Sequence, residues 1–178
     1  MSILARSEFW ALLGVVLGFG LNALWQILRD ALGRRRRRQS IEAELRTNLG
    51  LLPQKIEHLQ NARRALNKRK LLAGDNVHFA TYLYDTHIGE VAQHLSSAQR
   101  EVLHVVYQSM RVVDRVLDDL VSSFVQTRSS GQLSKPFEAY AGMCAEMADR
   151  CELVSAMVKE YLAGEPRQVT WNNISVRQ

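Results

Sequence analysis

The pattern of hydrophobic and polar residues sets one uncharged stretch apart from the rest of the chain. Residues 9–28 read FWALLGVVLGFGLNALWQIL and carry no charged side chain. A helix of that length measures about 30 Å, which is the thickness of the hydrocarbon core of a bilayer. Trp10 and Trp25 lie near its two ends, where indole rings are stable at the headgroup layers. The pattern predicts a transmembrane helix.

Basic residues follow this stretch far more than they precede it. Arg6 is the one basic residue before the stretch, whereas an arginine run stands after it: Arg34, Arg35, Arg36, Arg37 and Arg38. Because positively charged flanks stay in the cytoplasm, we expect a single-pass protein of the inner (plasma) membrane, with its N-terminus outside and its C-terminal part cytoplasmic. The arginine run would also contact anionic lipid headgroups. A cleaved signal peptide has the opposite charge order, so the sequence disfavours it.

Small and amide side chains recur at every fourth position of the predicted span. They are Gly14, Gly18, Asn22 and Gln26, and this spacing places them on one side of the helix. Glycines allow two helices to approach closely, and amides in hydrocarbon bond to partners on a neighbouring helix. We therefore expect a homo-oligomer. Two alternatives stay open: the amides meet water at the cytoplasmic interface, or they line a water-filled pore.

The following chain shows the periodicity of amphipathic helices. Apolar residues repeat in a heptad-like pattern between Leu45 and Leu66. Pro53 lies inside this pattern and predicts a kink or a break at residues 49–53. The pattern over 97–127 is apolar around an unusually wide face, which is typical of a helix buried on several sides.

Capping and turn residues separate the helices. Ser96 followed by Gln99 is the pattern of a capping box and predicts a fresh helix start. Before it, residues 77–86 fit either a short helix or an extended segment that covers the core, and a short helix is expected over 86–95. The last helix begins beside Pro136 and ends at Gly164.

These elements predict an all-α protein in which one N-terminal transmembrane helix precedes a cytosolic antiparallel helical bundle. Residues 1–33 form the anchor, with the span at 9–28, and residues 34–164 form the cytosolic helical domain. Residues 165–178 form a C-terminal tail that is either docked or a short strand.

The net charge of +5 comes entirely from the arginine run, because residues 39–178 hold 16 basic and 16 acidic side chains. Duplex nucleic acid is therefore not an expected partner. The first cytosolic helix is nevertheless basic while the rest of the domain is acidic. Its candidate ligand-binding residues are Arg63, Arg64, Lys68, Arg69 and Lys70, and Lys55 precedes them. They would either pair with the acidic bundle or converge in an oligomer on a phosphate-rich ligand.

No motif indicates catalysis or a metal centre. His87, Glu90 and His94 fall roughly on one helix face, but their spacing is not that of a zinc site. The sequence has no glycine-rich phosphate loop and no turn typical of a serine nucleophile. We expect neither an enzyme, nor a metal, nor a cofactor.

Two further groups of polar residues are interpreted structurally. Asp114, Asp118 and Asp119 are expected to lie on a solvated face and to pair with Arg111 and Arg115. Cys144 and Cys151, the two cysteines of the chain, are expected to be buried free thiols, because positions two turns apart lie too far apart to bridge.

One apolar span, a polybasic stop and a compact helical domain make a layout that resembles small prokaryotic membrane proteins of antiphage defence. It is most similar to the membrane effectors associated with type III CRISPR systems. The resemblance lies in the layout and includes no family motif, so it transfers no residue role. It implies an oligomer whose cytosolic domain binds a cyclic oligonucleotide and whose response acts on the membrane. The alternative is a membrane-anchored helical adaptor that recruits a protein partner.

Overall fold

The computed structural model describes residues 3–70, 76–130 and 135–164. Within them the chain is all-helical and has no strand, which confirms the predicted all-α class. The elements are α1 (Ile3–Asn67), α2 (Tyr82–Val91), a short 3₁₀ helix (Ala92–His94), α3 (Ser97–Ser130) and α4 (Phe137–Ala163). The chain divides into two compact units, Met1–Ser40 and Ile41–Gln178. The predicted tail at 165–178 lies outside the described residues.

The N-terminal part of α1 presents its apolar side chains outward. Among the described residues, α1 is the one helix long and apolar enough to cross a membrane, and its apolar window is not buried within the structure. Phe19, Leu21 and Trp25 are each about two-thirds exposed or more. A continuous exposed apolar surface of this kind is unfavourable in water. Length and composition therefore make this segment a candidate membrane span.

The helix continues without interruption through Pro53. A proline inside a helix removes one hydrogen bond and costs about 3 kcal/mol. Leu45, Leu52 and Leu59 are almost completely buried on both sides of it, and each contributes about 1.5–3 kcal/mol. Burial therefore outweighs the proline penalty, and the predicted break at 49–53 is wrong.

The contacts within residues 41–164 define the directions of the helices. The side chains along α1, from Glu44 to Lys55, contact a second segment that runs back from Tyr84 to Asn76. This second segment is therefore antiparallel to α1. It consists of an extended stretch, residues 76–81, which we name the connector, followed by α2.

The third and fourth helices complete the arrangement. The contacts that α3 makes with α1 advance from Tyr107 to Asp114, so these two helices are parallel. The helix α4 packs against α3 after a short connection, and Phe124 meets Tyr140 edge-on with ring centroids 5.7 Å apart. Along the chain, the four elements therefore alternate in direction: α1, then the connector with α2, then α3, then α4. The connector and α2 together take the place of a second long helix.

The ends of α3 and α4 form as their sequences predict. The Ser96 amide donates to Gln99 Oε1 at 3.0 Å, and the Gln99 amide donates to Ser96 Oγ at 3.2 Å, which is the predicted capping box. At the end of α4, Gly164 has a left-handed φ of 83°, and its amide donates to the Tyr161 carbonyl at 3.1 Å.

The core of this unit is built around α3. Leu103, Val106 and Tyr107 are almost fully buried, and so are Met110 and Val113 one to two turns later. The wide apolar face predicted for this helix therefore contacts neighbours on several sides. Cys144 and Cys151 complete the core from α4 as free thiols, as predicted.

Burial raises the pKa of the Cys144 and Cys151 thiols to about 11. At about pH 8, roughly a thousandth of each thiol is ionised, and the thiolate is the nucleophile. We therefore expect Ellman's reagent to leave both thiols unmodified in the native protein and to modify both in guanidinium chloride. Rapid reaction of either thiol in the native protein would contradict the described core.

Candidate anion-binding surfaces

The first candidate surface is the end of α1 together with the turn that follows it, which carry the five predicted ligand-binding side chains. They are Arg63, Arg64, Lys68, Arg69 and Lys70, named here the basic end, and all five are exposed. Ala62 and Leu66 on the opposite side are buried and fix the orientation of the helix. The cations consequently project toward solvent.

The chain leaves α1 in a tight turn. The amides of Lys68 and Lys70 both donate to the Ala65 carbonyl at 2.9 Å, and Arg69 has a left-handed φ of 55°. Cations at a helix C-terminus interact favourably with its unpaired carbonyl groups. Within the described ranges, however, no acidic side chain pairs with any cation of the basic end. The predicted pairing of these five residues with the acidic bundle is not observed there.

Lys55 differs from the basic end because it is buried. Its ammonium group forms an ion pair with Asp114, donates to Asn76 Oδ1 at 2.9 Å and lies 4.3 Å from the ring centroid of Phe79. For this one residue, pairing between the basic helix and the acidic bundle is confirmed. Lys55 is therefore a structural cation.

The same carboxylate holds the connector. The Phe79 amide donates to Asp114 Oδ2 at 2.8 Å, while the other oxygen of Asp114 faces Lys55. The Asn76 amide group donates to the Asp114 carbonyl at 3.2 Å and to Asp118 Oδ1 at 2.9 Å. The predicted solvated pairing of Asp114 with Arg111 or Arg115 is wrong, because both of its oxygens are used inside the fold.

Two more side chains of α1 bind the backbone of this segment. Asn48 pairs with Ala80 in both directions: its amide group donates to the carbonyl at 2.7 Å, and its oxygen accepts from the backbone amide at 2.9 Å. Glu44 accepts the amides of Leu83 at 2.7 Å and Tyr84 at 3.1 Å. It therefore caps α2, which begins at Tyr82 and not at the predicted residue 86.

Glu44 also accepts the Tyr107 hydroxyl at 2.9 Å, and the Tyr107 ring stacks on Tyr84 with centroids 3.8 Å apart. Burial, and then the neighbouring Glu44 carboxylate, raise the pKa of Tyr107 well above its usual range. The phenol therefore stays a hydrogen-bond donor. The sequence carries a signal for this site: Glu44, Asn48 and Lys55 are polar residues on the face that carries the buried leucines.

The second candidate surface is an open cleft of about 320 Å³ between the connector and α3. Its polar lining consists of His78, Thr81, Arg111, Asp114, Arg115 and Asp118. His78 Nε2 lies 3.0 Å from Asp118 Oδ1, and the Asn76 and His78 hydrogen bonds hold the pKa of the Asp118 carboxyl below its ordinary value. Arg111 forms an ion pair with Asp85 of α2. Sequence reasoning missed the cleft because these elements meet only in the fold.

The predicted membrane-association residues lie on one exposed helix. Gly14 and Gly18 have open space where a side chain would begin, and Asn22 and Gln26 are exposed. In the arginine run, Arg34 and Arg37 are partly covered and the other three are exposed. The first group therefore lies on one helix, as its spacing predicts.

No group of three histidine, cysteine or carboxylate side chains in the described part of the chain is arranged to hold a metal ion. His87 and Glu90 lie in α2, and His94 lies in the 3₁₀ helix that follows.

The chain matches no protein-family model, and it is not significantly similar to any curated protein or solved structure. The class of protein is therefore described from the chain's own structure alone. Its described residues form an all-helical protein with a candidate N-terminal membrane helix, a basic end of exposed cations and a cleft lined by both arginines and aspartates.

The Lys55–Asp114 pair is expected to stabilise the fold strongly. Lys55→Met leaves a buried carboxylate without its cation, so we expect the free energy of unfolding to fall by about 3–5 kcal/mol. Asp114→Asn keeps an acceptor for the Phe79 amide, and the double substitution should cost less than the sum of the single ones. Urea unfolding of the full chain in detergent, followed by circular dichroism, measures these values.

Lys159→Met, at an exposed cation of α4, is the control for this cycle and should change stability by less than about 0.5 kcal/mol. Wild-type stability of the Lys55→Met protein would show that the buried pair contributes nothing.

Proposed function

We propose that the protein is a single-pass membrane effector of antiviral defence. Its oligomeric cytosolic domain binds an anionic nucleotide messenger, a cyclic oligonucleotide, at the basic end and thereby alters the integrity of the membrane. The protein has no catalytic role in this proposal.

The observation that carries the proposal is the different use of two sets of cations. Lys55 is buried and paired inside the fold, whereas Arg63, Arg64 and their neighbours are exposed and have no acidic partner among the described residues. Five cations within eight residues repel one another, and a phosphate-rich ligand would relieve that repulsion. Guanidinium groups also match phosphate oxygens in geometry and charge.

The membrane part of the proposal rests on the exposed apolar segment of α1 and on the arginine run after it. Insertion would remove these apolar side chains from water. The arginine run would keep residues 41–164 in the cytoplasm, at the inner membrane. Self-association through Gly14, Gly18, Asn22 and Gln26 would give a nucleotide-dependent change in packing a route to the bilayer.

A second candidate is a membrane-anchored adaptor, which the outer face of α4 favours. Glu138, Asp149 and Glu152 are exposed, and no basic side chain in the described residues pairs with them. Leu153 lies beside Glu152 and is 40% exposed. A basic protein partner with one apolar anchor would fit this face.

Nucleotide binding tests the first candidate. The full chain in detergent is titrated with cyclic di-, tri- and tetra-adenylate in a calorimeter, and we expect a dissociation constant on the order of micromolar for one of them. Arg63→Ala/Arg64→Ala should weaken it by about tenfold or more, because two phosphate contacts are lost. Lys159→Ala is the matched control and should bind as the wild type does.

If a folded, oligomeric chain binds none of these nucleotides, the effector proposal fails. A stable protein partner, captured without nucleotide and lost on Asp149→Lys/Glu152→Lys, would then support the adaptor.

The span can be tested separately. Asn22→Leu/Gln26→Leu removes the amides that we expect to join neighbouring helices, so nucleotide-dependent loss of membrane potential should disappear while membrane insertion persists. Leu24→Ile/Ile27→Leu alters the opposite side of the helix and should leave the response intact. A response that survives the amide substitutions would reduce the span to an anchor.

A further inference from the structure

The cleft between the connector and α3 has one charge that the fold does not use. Its carboxylates are occupied: Asp114 faces Lys55 and the Phe79 amide, and Asp118 accepts from Asn76 and lies against His78. Arg111 is paired with Asp85. Arg115 lines the same cleft, is exposed and has no acidic partner among the described residues.

The donors around this cation converge on one opening. Arg111 and Arg115 are one turn apart on α3 and therefore lie on the same face. Thr81 stands on the other wall, and its hydroxyl lies 3.3 Å from Asp85, the carboxylate that also holds Arg111. Two guanidinium groups supply more donors than the Asp85 carboxylate can accept, whereas a phosphate group adds further acceptors.

We propose that this cleft is a binding site for the phosphate group of a small molecule. Arg115 is its main cation, and Arg111 supplies further donors. The volume of about 320 Å³ lies at the lower limit of small-molecule sites, which fits inorganic phosphate or a mononucleotide better than a cyclic oligonucleotide.

Asp114 and Asp85 are each paired with a cation, Lys55 and Arg111. Asp118 keeps its negative charge in the lining and lowers the affinity for phosphate, so Arg115 has to outweigh it. Binding would draw Arg111 partly away from Asp85, and that carboxylate would keep its contact with the Thr81 hydroxyl. The ligand would thus contact both α3 and the residues that lead into α2.

This site is independent of the proposed function. The cleft reaches α1 at Lys55 through Asp114, and Arg63 lies eight residues, or about 12 Å, further along that helix. A ligand in the cleft therefore does not use the basic end, and either surface can be occupied without the other.

Calorimetric titration of the full chain with orthophosphate and with adenosine 5′-monophosphate tests the site. The protein is purified in a phosphate-free maltoside detergent, so that no lipid or buffer phosphate competes. We expect saturable binding of at least one probe. Equal affinity for the two would indicate that the phosphate group alone is recognised, and tighter binding of the nucleotide would place the nucleoside in the cleft as well.

Arg115→Ala should weaken this binding at least tenfold, and Arg115→Lys should weaken it less, because lysine keeps the charge without the planar pair of donors. Arg115 is exposed, so both proteins should fold, which circular dichroism checks. Arg63→Ala/Arg64→Ala and Lys159→Ala should bind the probes as the wild type does.

No saturable binding of either probe, or binding unchanged by Arg115→Ala, would overturn the proposal. Loss of cyclic nucleotide binding in Arg63→Ala/Arg64→Ala would leave the cleft unaffected, and loss of phosphate binding in Arg115→Ala would leave the basic end unaffected. The proposed function at the basic end and the proposed phosphate site in the cleft can therefore be overturned independently of each other.

Discussion

The Asp114 carboxylate, shared between the Lys55 ammonium and the Phe79 amide, is the interaction on which the unit of residues 41–164 depends. The connector has no helical hydrogen bonds of its own, yet Phe79 is buried. An unpaired amide in such a place costs about 1–3 kcal/mol, so each buried polar group of the connector needs a partner from elsewhere. Asp114 and Asn48 supply those partners, and the Lys55 ammonium compensates the negative charge of the buried Asp114 carboxylate. The connector can therefore pack against α1 and α3 in the place of a helix, although its own backbone is extended.

This arrangement separates the charges that build the fold from the charges that remain on its surface. Buried ions require partners because the desolvation penalty is large, and Lys55, Glu44 and Asp114 all have them. The basic end and Arg115 are exposed, where a missing partner costs little because water screens the charge. Charges of this second kind are free to respond to a ligand. Both proposed surfaces are built from exposed charges of this second kind.

Sequence reasoning succeeded where the determining contacts are local. The capping box at Ser96 and the left-handed Gly164 each act within a few residues, and the period of α3 is visible in its own segment. It failed where the partner is remote. The start of α2 is set by Glu44, 39 residues before Leu83, and a charge count could not distinguish buried Lys55 from its exposed neighbours. The cleft could not be predicted for the same reason, because its walls come from segments that meet only after folding.

The capping of α2 by Glu44 also has a consequence for how the chain is made. Glu44 is synthesised early, but the hydroxyl that completes its site belongs to Tyr107, 63 residues later. A helix of ten residues is marginal in water without outside contacts. During translation, we therefore expect α2 to lack a stable conformation until much of α3 has left the ribosome.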